Sequence, residues 1–176
     1  MLNNADFFTG DAQNTAPDNQ ELQTPVGELH LRFYLPSQDE FVLSAVGICE
    51  VIQQPLDRIT PIPNASPLLL GAINLRGKVI WVADLGQFLG DNSRLDTDQS
   101  EIPVIVIEEQ ETILGLAVQR LGDVEWLDSD QLGSAASIPD QIVPYVRGEW
   151  ILGQKSKKTL RLLDYLAIIR SARWAA

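Results

Sequence analysis

The chain has 176 residues, enough for one compact domain or two very small lobes that share a core. Apolar residues make up 45% of it, so burial can drive folding, and its net charge of −11 would repel a phosphate backbone, which argues against nucleic acid as a partner. Cys49 is the single cysteine, so no internal disulfide can form and a reducing compartment fits. No basic stretch followed by an apolar run opens the sequence, and no apolar segment approaches the ~20 residues of a membrane helix. The expected location is the cytoplasm, with no direct membrane insertion.

Residues 1–26 are rich in Asn, Gln, Asp and Thr and poor in large apolar side chains, which predicts a flexible N-terminal tail carrying an isolated Phe7-Phe8 pair. Residues 29–35 alternate apolar and polar side chains, turn at Pro36–Glu40 and return over 41–46 as a hairpin. Ile48–Ile52 reads as a short helical turn or the start of a strand. Pro55, Pro61, Pro63 and Pro67 keep regular structure short beyond it.

Residues 78–83 form a further strand, closed by Asp84 as the N-cap of a short helix. Leu85, Phe88 and Leu89 line one face of that helix, and Gly90 ends it. After a polar loop at 91–101, residues 102–107 and 112–118 make a second hairpin whose tip carries Glu108, Glu109 and Glu111, read as solvated. A loop over 128–141 leads to strands at 145–151 and 159–163, and a helix is expected from Tyr165 to Trp174.

The two halves repeat each other. Lys78–Asp84 (KVIWVAD) matches Lys158–Asp164 (KTLRLLD), and Pro67 precedes Gly71 by four residues as Pro144 precedes Gly148. Further upstream, Ala45-Val46 and Glu50-Val51 match Ala117-Val118 and Asp123-Val124 in the same order. Duplication predicts a mainly β fold of two small five-stranded β-barrels with short helices, the first over about 27–100 and the second over about 101–165. Open sheets this small do not persist, so closure is the favoured solution. Two lobes side by side also leave a groove, a common place for binding.

Little in the sequence points to chemistry. A metal site needs clustered ligands, yet His30 and Cys49 are each alone of their kind and lie in separate elements. His30 reads as a surface or satisfied histidine and Cys49 as a small buried hydrophobe. Phosphate-loop, dinucleotide and Gly-x-Ser-x-Gly patterns are missing. No catalytic residue, metal or cofactor is expected.

One segment asks for more than a structural reading. Gly71–Gly77 (GAINLRG) has the residues of a tight turn, which accounts for Asn74, Gly77 and an inward Leu75. It does not account for Arg76, a long charged group set between apolar runs and able to fork onto a carboxylate or backbone. With Ile48–Ile52, Ile62–Pro67, Val79–Leu85, Gly115–Val118 and Gly122–Leu127, this segment resembles the CheW domain, the coupling module of bacterial chemosensory arrays, over about residues 29 to 170.

The resemblance implies two SH3-like barrels and no catalysis. It implies an adaptor between chemoreceptor cytoplasmic tips and the regulatory domain of a CheA-type histidine kinase, monomeric in isolation. Glu50, Val51, Asn74, Leu75, Arg76 and Gly77 match its partner-binding positions. Trp81 stands where many members have proline, and Ile80-Trp81-Val82 resembles the adaptors of type IV pilus-based motility or phototaxis systems. Trp81 would either pack in the core or alter a partner face. The competing reading is a carrier with a small ligand inside a barrel, which narrow five-stranded barrels disfavour.

Overall fold

The structure is a computed structural model that describes residues 25–155 and 158–175. Most of the expected tail therefore lies outside the described residues. Ten strands carry the fold: β1 Glu28–Tyr34, β2 Glu40–Ser44, β3 Ile48–Pro55, β4 Leu69–Leu75, β5 Lys78–Asp84, β6 Glu101–Glu109, β7 Thr112–Ala117, β8 Arg120–Leu127, β9 Val146–Leu152 and β10 Lys158–Leu163. Short helices α1 (Leu85–Phe88) and α2 (Tyr165–Ile169) follow β5 and β10. The repeated Asp residues cap both: Asp84 accepts from the Gln87 amide at 3.1 Å, and Asp164 from Leu166 and Ala167 at 3.0 and 3.2 Å.

Two five-stranded sheets form, in the orders β3-β6-β7-β5-β4 and β8-β1-β2-β10-β9. They do not divide at residue 100, as the repeat alone suggests. The β1–β2 hairpin joins β8, β9 and β10 of the second half, and the β6–β7 hairpin joins β3, β4 and β5 of the first. Connection length accounts for this exchange. Within one sheet β3 runs parallel to β7, as β8 does to β2. Parallel neighbours in a sheet need a crossover of about a dozen residues. The link from β2 to β3 is Ala45–Gly47, and that from β7 to β8 is Val118-Gln119. Links this short could only turn the next strand back antiparallel onto β2 or β7, and those edges are taken by the parallel partners β10 and β5, so each strand crosses to the other lobe.

Matching bridges close the curled sheets. Thr60 pairs with Ala72 of β4, and Gly133 with Glu149 of β9. The backbones approach closely at the repeated glycines: a Cβ on Gly71 would lie 2.3 Å from the Thr60 carbonyl oxygen, and one on Gly148 would lie 2.4 Å from that of Gly133. The spacing from Pro67 to Gly71 and from Pro144 to Gly148 marks these seams.

Ile73, Ile80, Val82, Ile102, Val104 and Val106 fill the first barrel, and Val42, Leu127, Trp150, Leu160 and Leu162 fill the second. The largest core lies between the lobes. It joins Phe33, Leu35, Phe41 and Leu43 to Ile105, Ile107, Leu114 and Leu116, together with α1 and α2. The lobes thus share their main buried surface and act as one folding unit.

The expected C-terminal helix is instead two pieces. α2 ends at Ile169, and a 3-10 turn, Ala172–Trp174, follows a cap by Ser171. The break lets Trp174 stack on Phe88 with ring centroids 4.4 Å apart.

Candidate functional site

The residues predicted from the sequence converge at one end of the first barrel. Strands β4 and β5 pair antiparallel from Leu69 opposite Ala83 to Leu75 opposite Lys78, leaving Arg76 and Gly77 as a two-residue turn. Both have positive φ, 51° and 82°, the pattern of a hairpin turn whose twist matches its strands. The Gly77 amide donates to Asn74 Oδ1 at 2.9 Å and fixes the loop. Half-buried Leu75 packs on the first barrel's core and anchors it. Glycine and asparagine adopt this backbone readily, whereas arginine does so at a cost on the order of 1 kcal/mol.

Closure of the barrel brings β3 beside this turn. Arg76 Nη2 meets Glu50 Oε2 at 2.6 Å, with side-chain exposures of 79% and 16% respectively. The first carboxylate that Arg76 engages is therefore its own chain's, rather than one waiting on a partner. Glu50 orients the arginine while most of the guanidinium surface stays open. An exposed pair of this kind adds little stability. Val51 follows Glu50 along the strand, 39% exposed.

Cys49 takes an outward position on β3, between half-buried Ile48 and Glu50, so this residue is exposed rather than buried. Slight desolvation of the thiol, together with the carboxylates of Glu108 and Glu50, pushes its pKa up against the opposing Arg76. That keeps it protonated and weakly nucleophilic. His30 is satisfied: it is buried, its Nδ1 lies 2.8 Å from the Glu28 carbonyl oxygen, and its ring meets Trp150 edge-on. The two residues sit in different sheets and form no catalytic pair. Among the described residues, no group of three or more His, Cys, Asp or Glu could hold a metal. No helix there is long and apolar enough to cross a membrane.

One contact escaped the sequence reading, and one open alternative is settled. Glu109, expected to be solvated at the hairpin tip, pairs with Arg170 after α2. Trp81 is not in the core: it is 39% exposed and lines an apolar groove with Leu69, Leu114, Ile169 and Trp174. Alternation along β5 carried the second signal, because Ile80 and Val82 take the inward positions.

The CheW-like domain family matches residues 30–173. The chain belongs to this family. A search of the curated proteins returned no match. Among solved structures, the chain is similar to the scaffolding protein TtCheW from Thermoanaerobacter tengcongensis, with 23% identity and a TM-score of 0.66 over 79% of this chain and 90% of that one. That likeness supports the two-sheet fold. As a CheW-like protein the chain is a non-catalytic scaffold of chemotaxis signal transduction.

Proposed function

We propose that this protein couples chemoreceptor cytoplasmic tips to the regulatory domain of a CheA-type histidine kinase in the cytoplasm. Its partner surface is built from Glu50, Val51 and the Asn74–Gly77 turn. The observation that carries this reading is the Arg76–Glu50 pair. A charged side chain 79% exposed stands on a strained, hydrogen-bonded turn and is aimed by a half-buried carboxylate. A turn needed only to join two strands would favour Asn or Gly at position 76. Preorganisation of this kind lowers the ordering cost of binding. The apolar side chains that fill both barrels speak against the carrier reading.

Within that function, we place the protein with the adaptors of type IV pilus-based motility or phototaxis systems. Ile80-Trp81-Val82 supports this, because Trp81 adds an exposed aromatic surface where proline would offer a small one. The test is a pull-down of the purified protein against the CheA-type regulatory domains encoded in the same organism. Capture of the one that serves the pilus pathway is expected. Capture of a flagellar pathway's domain alone would overturn the placement, and capture of none would overturn the coupling itself.

A further inference from the structure

The duplication gives the molecule two corresponding grooves, and only one of them has a filler. The first is the apolar groove of about 440 Å³ beside Trp81, and the second, of about 130 Å³, is lined by Leu35, Leu89, Gln141 and Arg161. The repeat matches them position by position: Trp81 corresponds to Arg161, Ile169 to Leu89, Asn64 to Gln141, and Ser171 to Asp91.

In the second groove the chain supplies its own plug. The β1–β2 connection drives Leu35 inward to 2% exposure, and the Ser37 amide ties that loop to Asp91 at 2.9 Å. The corresponding β6–β7 hairpin turns in two residues, Gln110 and Glu111, and offers no counterpart of Leu35. Among the described residues, the first groove is therefore left open between Trp81 and Trp174.

We propose that the N-terminal segment fills it with Phe7 and Phe8. Four observations select this occupant. A dry apolar cavity of about 150 Å³ accommodates one benzene ring, so a groove of this size has room for two. The walls offer two indole rings, and aromatic pairs gain about 0.5–1.5 kcal/mol beyond simple burial.

Charge agrees as well. Residues 1–24 carry Asp6, Asp11, Asp18 and Glu21 and no basic side chain, while Arg170 stands between the groove residues Ile169 and Ser171 in the chain; Arg173 is committed to Phe88, whose carbonyl it bonds at 2.6 Å. The Arg170 side chain is 62% exposed even while paired with Glu109. Asp6, next to Phe7, would approach the exposed part of the Arg170 guanidinium.

Reach is sufficient too. The stretch from Phe8 to Pro25 spans up to ~55 Å, against about 40 Å across a domain of this size. The segment would cover Trp81, so a partner that uses the exposed indole must first displace it.

The test uses the full chain labelled with 5-fluorotryptophan, whose four indoles report separately by fluorine NMR. Phe7→Ser/Phe8→Ser is expected to shift the Trp81 and Trp174 signals while leaving Trp126 and Trp150 in place. Trp126 serves as the control, being 49% exposed and away from the groove. Four signals that superimpose on those of the unmodified chain would overturn the proposal and leave the groove to an apolar side chain from a partner.

Discussion

Gly71→Ala is expected to destabilise the protein by about 2–4 kcal/mol, measured as a lower urea midpoint with an unchanged slope. The added Cβ would sit 2.3 Å from the Thr60 carbonyl oxygen, and backbone cannot swing away as a flexible side chain can. The seam must open. That loses the paired bonds from Thr60 N to Ala72 O at 2.9 Å and from Ala72 N to Thr60 O at 2.8 Å. Gly148→Ala should cost a similar amount, because its Cβ meets Gly133 and the seam there holds two bonds of 2.9 Å to Glu149. Near-equal losses at two sites 77 residues apart would mark the seams as products of one duplication. A neutral effect at either would mean that its barrel does not close there.

Arg32→Met is expected to cost roughly 3 kcal/mol, a fall of about 6–12 °C in melting temperature for a protein of this size. Arg32 is only 12% exposed and joins three strands, pairing with Glu40 on β2 and with Glu125 on β8 at 2.5 Å. Lys158 and the Tyr34 hydroxyl also reach Glu40, at 3.2 and 3.1 Å. Removing the arginine leaves carboxylates facing each other with less compensation, the costly way to break a buried network.

The pH dependence has a definite sign. Burial alone would raise the Glu40 pKa, but the bonds from Arg32, Lys158 and Tyr34 outweigh it and hold the carboxyl below its usual 4.5. A depressed carboxyl contributes stability above the unfolded-state pKa and loses it as pH falls through the folded-state value. The gap between the unmodified chain and Arg32→Met should therefore be full at pH 7 and narrow below about 4.5. A gap independent of pH would assign the loss to packing instead.

Strands and caps were legible in the sequence because both follow from local rules. Alternation over residues 29–35 marked a half-buried strand, residues 78–83 read as a second one, and Asp84 and Asp164 each precede a short apolar helix they can cap. Duplication was legible as well, but the exchange of hairpins between lobes was not read from it. The short Ala45–Gly47 and Val118-Gln119 links already held that answer, since neither can carry a crossover.

At the site, Glu50 and Arg76 were singled out separately. Their contact depends on barrel closure, which sets residues 26 apart in sequence side by side. Cys49 was misplaced because its residue type alone suggested burial, whereas alternation along β3 puts it outward with Val51, between half-buried Ile48 and Glu50. The C-terminal helix was drawn too long because nothing local to Arg170 and Ser171 reveals that Trp174 must turn back onto Phe88.

The central claim is that the turn held by Glu50 is the partner surface, and calorimetric titration with the cognate kinase regulatory domain tests it most directly. The titration compares the unmodified chain with Arg76→Glu and with Glu50→Arg/Arg76→Glu. Arg76→Glu should weaken binding tenfold or more while the circular dichroism spectrum stays native, because an exposed pair contributes little to the fold. The double reversal, which rebuilds the ion pair in the opposite sense, should recover part of that loss if Glu50 acts by aiming Arg76. Binding of Arg76→Glu at the affinity of the unmodified chain would contradict the account.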